Sequence, residues 1–404
     1  MSSADILPIT WREAGGRGSV GGMPIDELAD RHGTPLYVVD VAHLRHRMDE
    51  LRAAFGPETT LAYAAKAFFC PAMAELIAPT DWWVDVVSLG EARVAVAGGV
   101  PVGRQLFHGN AKTEEEVRFA VDAGRVVVDD PEEVERLPGR AALLLRLNVD
   151  VGADTHPKIR TSGAGVQFGM DRAAAERALH LASRRAAEVT GVHAHVGSQI
   201  SDPDTYRRTV EVLSEFIESH RDAFPDLVDL DVGGGFHVPY LPDDQVIPAE
   251  RHARVIREAA DLAARRLGEV RLWVEPGRCV TATAGLTLYR VVSRKGDILA
   301  VDGGLSDNLR PALYGARYQA MVPTRTGPSE RPFRLVGRHC EAGDVLVPEV
   351  HLPASTGPGD LVVVPVTGAY GFTMASHYNL VDRPAVVFVE DGADQVAVPR
   401  RGPF

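Results

Sequence analysis

Residues 189–277 carry, in order, VTGVHAHVG (189–197), YRRTVEVLSEFIESH (206–220), VDLDVGGG (228–235), AERHARVIREAADLAARRLG (249–268) and VRLWVEPG (270–277). The first, third and fifth are short, apolar and β-branched, while the second and fourth place apolar residues at helical spacing. Strands alternating with helices in this way imply parallel pairing through crossover helices. Toward the N-terminus the same alternation recurs in TTLAYAAK (59–66), WWVDVVS (82–88), QLFHG (105–109), RVVVDD (125–130) and ALLLRLNV (142–149). Helical periods such as LGEARVAVAGG and TEEEVRFAVDAG lie between them. Eight such runs within about 220 residues predict a closed (β/α)8 TIM barrel, with a doubly wound open sheet as the structural rival.

Beyond Gly277 the rhythm changes. TATAGLTLYRVVSR, DILAVDGG, RPFRLVGRH, DVLVPEVHL, LVVVPVTG and PAVVFVED follow one another with Pro/Gly-rich turns and few helical periods. This predicts an all-β C-terminal domain over 279–404, a barrel over 34–278, and an N-terminal segment 1–33 packing on the β domain.

The composition narrows the function. The 404 residues hold 43 Lys+Arg against 55 Asp+Glu, a formal charge of -12, which argues against nucleic-acid or anionic-membrane partners. Cys70, Cys279 and Cys340 are too few and too dispersed for a disulfide framework or a zinc site, so no metal is expected. The start lacks the apolar core of a signal peptide, and no stretch is long enough to span a membrane, so a cytoplasmic enzyme is expected.

In a TIM barrel the chemistry gathers at the C-terminal strand ends. Here these carry Lys66, Asp85 and Ser88, His108, His195 and Ser198, Gly233-Gly234-Gly235, and Glu275-Pro276-Gly277-Arg278. Taken singly, a histidine at a strand end is more often a packed, hydrogen-bonded side chain, and a glycine triplet is usually a turn. Together they say more. Glycine turns let backbone N–H groups approach an anion, and the loops after strands seven and eight are the usual phosphate site of this barrel. Only four lysines occur: Lys66, Lys112, Lys158 and Lys295. Lys66 ends an apolar strand, so its amine is expected at the barrel mouth, partly desolvated and nucleophilic. A lysine, a phosphate cradle and an acidic strand end point to pyridoxal 5'-phosphate.

The motifs YAAKA around Lys66, HGNAK (108–112), HVGSQI (195–200), GGGF (233–236), EPGR (275–278), DGGLSDNLRPALYGA (302–316), CEAGD (340–344) and GAYGFTMASHYN (368–379) resemble the diaminopimelate decarboxylase family. These are fold-type III, group IV decarboxylases with an alanine-racemase-like barrel plus a β domain. The resemblance implies that Lys66 forms the Schiff base and that His195 stacks on the cofactor ring, with Asp85 and Ser198 near it. Gly234, Gly235, Gly277 and Arg278 would line the phosphate, with Tyr370 bonding it. Glu275 would bond the pyridine nitrogen and keep it protonated, whereas racemases of this fold place an arginine there. Glu275 therefore favours decarboxylation. Cys340 would help deliver the final proton, typically across the interface of a homodimer with composite active sites. Arg278, Arg310, Tyr314, Glu341 and Tyr370 match the positions that hold the distal end of the substrate. Forked hydrogen bonds from the arginines suit a carboxylate there.

Three features depart from the family pattern: Arg160 and Gln167 within HPKIRTSGAGVQFGM (156–170), and His237 after GGGF. The Gln-Phe-Gly form resembles relatives that act on other amino acids, including groups tethered to an acyl carrier protein. The expected activity is thus loss of the α-carboxylate from a small polar amino acid, with meso-diaminopimelate giving L-lysine as the leading substrate. A natural-product decarboxylase and a non-catalytic, PLP-binding regulator stand as alternatives.

Overall fold

The computed structural model describes residues 6–151, 165–323 and 331–403. All eight expected barrel strands form: β1 (Thr60–Ala64), β2 (Trp83–Val86), β3 (Gln105–Phe107), β4 (Arg125–Val128), β5 (Ala142–Arg146), β6 (Glu188–His193), β7 (Leu227–Asp231) and β8 (Glu269–Val274). Each pairs in parallel with the next, and β8 returns to β1 through Trp273 with Thr60 and Val274 with Leu61. The sheet is therefore a closed barrel and not the open rival.

The crossover helices follow from their apolar spacing. Helix Ala249–Leu267 buries His252, Ala253, Ile256, Ala259, Ala260, Ala263 and Leu267, one stripe along its length. Gly268, at φ +90°, ends it in a conformation other residues rarely adopt.

The barrel interior is filled at one level by Ala62, Leu106, Val127, Leu144 and Trp273. Among these apolar groups sits the buried Asp229 of β7. Arg125 Nε of β4 donates to it at 2.6 Å, Arg271 Nε of β8 at 2.5 Å and Trp273 Nε1 at 2.9 Å. Burial alone would raise the Asp229 pKa, but Arg271 and Arg125 outweigh it and hold the carboxyl below its usual value.

The barrel unit comprises Asp49–His237 and Ile247–Gly277, and the second unit comprises Met1–Met48, Val238–Val246 and Arg278–Phe404. This corrects the continuous 34–278 span expected for the barrel. Strand Leu36–Asp40 is buried at all five positions and pairs antiparallel with Gly285–Lys295 and parallel with Ala385–Glu390. It belongs to the second unit's sheet because that is where its hydrogen bonds go. That sheet runs Val345–Leu352, Arg331–Val336, Ile298–Val301, Gly285–Lys295, Leu36–Asp40, Ala385–Glu390 and Ala393–Val398, with Leu361–Pro365 also pairing on Gly285–Lys295. Helix Ile25–His32 packs Ile25, Leu28 and Ala29 into its core beside Leu36, Val38, Leu286 and Val387. Among the described residues, no helix is long and apolar enough to cross a membrane.

Candidate active site

Within the barrel unit, the titratable groups cluster at the C-terminal strand ends. Lys66 lies in the short 3-10 turn Ala65–Ala67 directly after β1. Its Nζ is 3.3 Å from Oδ2 of Asp85, a β2 residue with no exposed side-chain surface, while the lysine side chain keeps 37 % exposure. The amine thus sits at the mouth beside a buried carboxylate, more open than a desolvated lysine would be.

Glu275, just past β8, is buried. His108, just past β3, places Nε2 2.7 Å from Glu275 Oε1, and His193, at the end of β6, places Nε2 3.4 Å from the same oxygen. Burial penalises the carboxylate, yet the two imidazoles outweigh it and Glu275 lies well below the ordinary range. Asp231, at the end of β7, goes the other way: burial and then the Glu275 charge raise it well above the usual carboxylic value. The two carboxyls are therefore pushed apart, Glu275 toward the ionised form and Asp231 toward the protonated one.

Beyond β6, His195 accepts a hydrogen bond at Nδ1 from Gly234 N–H, 3.2 Å. Burial and then the Lys66 charge push its pKa well down, so the ring is neutral with its proton on Nε2. Ser198 lies three residues further, half-buried.

The glycine triplet divides its work. Gly233 N–H donates to Asp231 Oδ1 at 2.8 Å, and Gly234 N–H is taken by His195. Gly234 is therefore not an anion ligand through its N–H, as its motif position implied. A Cβ there would lie 2.1 Å from the Glu275 carbonyl, so its role is close backbone approach. Gly235, at φ +97°, leaves no room for a Cβ, and its N–H donates to no described residue. It can meet an anion. A Cβ on Gly277 would crowd Ala64 and Ala67, so a glycine is needed there for close packing on the turn that carries Lys66.

In the second unit, two buried guanidiniums converge. Arg278 Nη1 donates to Tyr240 Oη at 2.6 Å, and Arg310 Nη1 to Tyr318 Oη at 2.5 Å. The Arg310 guanidinium lies 4.8 Å from the Tyr240 ring centre, and that of Arg278 lies 4.7 Å from Tyr370. Burial raises Tyr318 to about 12. Tyr240 moves the other way, because Arg278 and Arg310 outweigh its burial and lower it. Two buried cations among phenols have the chemistry to receive a carboxylate or phosphate.

Tyr314 is half-buried at the end of helix Arg310–Tyr314. Cys340 and Glu341 are exposed. Their turn is nevertheless well anchored: Asp344 accepts from His339 N–H (2.8 Å) and Leu305 N–H (2.6 Å), and Glu341 accepts from the Tyr378 hydroxyl. Gln167 is exposed and His237 half-buried, while Arg160 lies outside the described residues. Ser88, a strand-end candidate, is a helix N-cap whose Oγ accepts from Glu91 N–H.

Sequence reasoning missed Tyr240, Tyr318, His193 and Asp231, and it did not assign a role to His108. The phenols stand in loops with no spacing signal. His193 and Asp231 were visible only as polar residues ending apolar strands.

An amine after β1, a buried carboxylate after β8 and a glycine cradle after β7 define a barrel-type pyridoxal phosphate enzyme. The residues fit the cofactor chemically: an amine for its aldehyde, backbone N–H for its phosphate, and an ionised carboxylate for its ring nitrogen. The chain belongs to the pyridoxal-dependent decarboxylase family, whose description "Pyridoxal-dependent decarboxylase, pyridoxal binding domain" matches residues 41–282. Diaminopimelate decarboxylase of Actinosynnema pretiosum subsp. auranticum is 41% identical, covering 98% of this chain and 93% of its own. That of Bacillus subtilis is 39% identical, covering 94% and 92%. The crystal structure of diaminopimelate decarboxylase from M. jannaschii in co-complex with L-lysine superposes with a TM-score of 0.89 at 28% identity, covering 98% and 96%. The chain is thus a PLP-dependent carboxy-lyase with the alanine-racemase-like barrel and β domain that its motifs implied.

Proposed function

We propose that this enzyme removes the α-carboxylate of meso-diaminopimelate to give L-lysine and CO2, acting as a cytoplasmic homodimer. The observation that carries the substrate is the buried pair Arg278 and Arg310, two cations whose described side-chain partners are phenols. Such a pair suits the second carboxylate that distinguishes diaminopimelate from simpler amino acids. Near-full-length likeness to diaminopimelate decarboxylases supports the same reading. The free thiols of Cys70, Cys279 and Cys340 suit a reducing compartment.

When bound, pyridoxal phosphate supplies an electron sink for the charge left as CO2 departs. The chain's residues do the rest. Lys66 would hold the cofactor's aldehyde carbon, and neutral His195 would lie against the ring with Asp85 and Ser198 beside it. Gly235, Gly277, Arg278 and Tyr370 would bind the phosphate. Ionised Glu275 would hold a proton at the pyridine nitrogen. Arg278, Arg310, Tyr314 and Tyr370 bind the distal carboxylate end, and Glu341 its ammonium. Cys340 gives, or positions a water to give, the proton at the α-carbon. An exposed but anchored turn is the form expected of groups that reach a partner subunit's site.

The test is lysine and CO2 release from meso-diaminopimelate by the purified, cofactor-loaded protein. No lysine, with turnover of an aminoacyl group loaded on a carrier protein, would transfer the function to natural-product chemistry. Bound cofactor with no turnover of any amino acid would make the chain a regulator.

A further inference from the structure

The carboxylate expected at the pyridine nitrogen does not stand alone. His108 and His193 come from opposite parts of the barrel, after β3 and at the end of β6, yet both address one atom, Glu275 Oε1. Their rings meet edge to face, with centroids 5.0 Å apart at 75°. All three residues are buried, at 4, 1 and 3 % exposure. An ionised carboxylate only accepts, so each imidazole that bonds it must carry its proton on Nε2. Neither nitrogen of His193 completes a hydrogen bond among the described residues, and the 3.4 Å approach of its Nε2 to Glu275 Oε1 is the contact that favours a proton on that nitrogen. Burial lowers His193 to about 4, so near neutrality it contributes an N–H dipole and not a charge.

We propose that His108 and His193 are positioning residues for Glu275: His108 donates a hydrogen bond to Oε1, His193 brings its Nε2 to 3.4 Å from the same oxygen, and together they hold the carboxylate with Oε2 turned to the ring nitrogen. The inference rests on the reading of Glu275 as the nitrogen's partner. A carboxylate held by outer partners keeps its orientation and charge, as ligand-orienting groups do at metal sites. The charged or titratable groups that face the trio are Asp85, 3.7 Å from His108 Nε2, and Asp231, whose pKa burial and the Glu275 charge raise; Lys66, Arg146, His195 and Glu91 surround these.

The test uses holoenzyme reconstituted with cofactor labelled with 15N at the pyridine nitrogen. The nitrogen's chemical shift reports its protonation directly. Wild type is expected to hold it protonated from about pH 6 to 9. In His108→Leu and His193→Leu the signal moves toward the unprotonated nitrogen, and kcat falls about 10- to 100-fold with KM within about twofold. His108→Gln, which keeps an N–H donor, restores most of both. An unchanged nitrogen signal in both leucine variants overturns the proposal, as does a glutamine variant that behaves like leucine. If the leucine variants do not fold, wild-type holoenzyme labelled with 15N-histidine decides: a proton on Nε2 of both rings supports the proposal, and a bare Nε2 on either overturns it. Glu275→Gln is the control, because an unmoved nitrogen signal there sinks the Glu275 reading itself. The three donor atoms also lie within 4.8 Å of one another, a spacing a metal ion could use. Stoichiometric zinc in active holoenzyme would therefore overturn the proposal.

Discussion

Lys66 and Lys112 each follow a barrel strand, Thr60–Ala64 and Gln105–Phe107, but do not share a chemistry. Lys112 Nζ is 2.6 Å from Glu133 Oε1 and donates to the carbonyls of Gly109 (2.8 Å) and Val127 (2.7 Å), with 1% side-chain exposure. Burial lowers its pKa against the pull of Glu133. A low pKa would normally favour a nucleophile, yet three fixed partners leave this amine no route to an aldehyde. Lys66 lies beside the Asp85 carboxylate with a third of its side chain open. Lys66→Ala should therefore lose the absorbance of lysine-bound cofactor and roughly three orders of magnitude or more of activity. Borohydride reduction and peptide mapping check this, and cofactor trapped on Lys112 in the variant would show the wrong amine has been assigned. Exposure, and the three fixed partners that close off Lys112, separate the two lysines.

At the scale of elements, the barrel's own strands are tied by Asp229. Arg125 reaches it from β4, Arg271 and Trp273 from β8, so one carboxylate joins β7 to its neighbour and to a strand across the interior. Asp229→Asn should cost about 3 to 5 kcal/mol, because it strands two cations around a neutral amide. The pH dependence has a fixed sign. The folded-state pKa is lowered, so the contribution is complete above the unfolded value and is lost as pH falls through the folded one. Urea denaturation should show the wild-type advantage at neutral pH shrinking below about pH 4. An advantage that grew on acidification would refute the ion pairing. These strands were legible because parallel barrel strands are apolar on both faces and their helices keep a period near 3.6. Strand Leu36–Asp40 was equally apolar, but nothing local tells a strand which sheet will pair with it. The excursion Val238–Val246 was missed for a related reason: its Tyr240 serves Arg278, 38 residues away in the chain. His108, His193 and Asp231 were each visible at a strand end, and only the barrel's closure brings two of them onto Glu275.

At the scale of the whole molecule, the chain presents its proposed acid outward. Cys340 and Glu341 are exposed on a turn held from behind by Asp344, His339 and Ser306, with His339 Nε2 2.8 Å from Ser306 Oγ. A rigid turn that displays a thiol and a carboxylate costs ordering without burying anything, so a function at another surface is its natural use. A two-fold dimer would supply that surface twice, once for each site. Lys66→Ala and Cys340→Ala are each expected to be inactive alone. When unfolded together and refolded, half of the dimers pair one of each. In such a dimer, one composite site has lost both groups and the other retains both. Random pairing should then restore about a quarter of wild-type activity. Each variant refolded with itself is the control, and sedimentation checks that dimers form. Full-length dimers without recovered activity would mean that Cys340 serves its own chain's Lys66, or does not serve the reaction at all. Recovery near a quarter would require Cys340 of one protomer to act with Lys66 of the other, because no site in the mixture otherwise contains both.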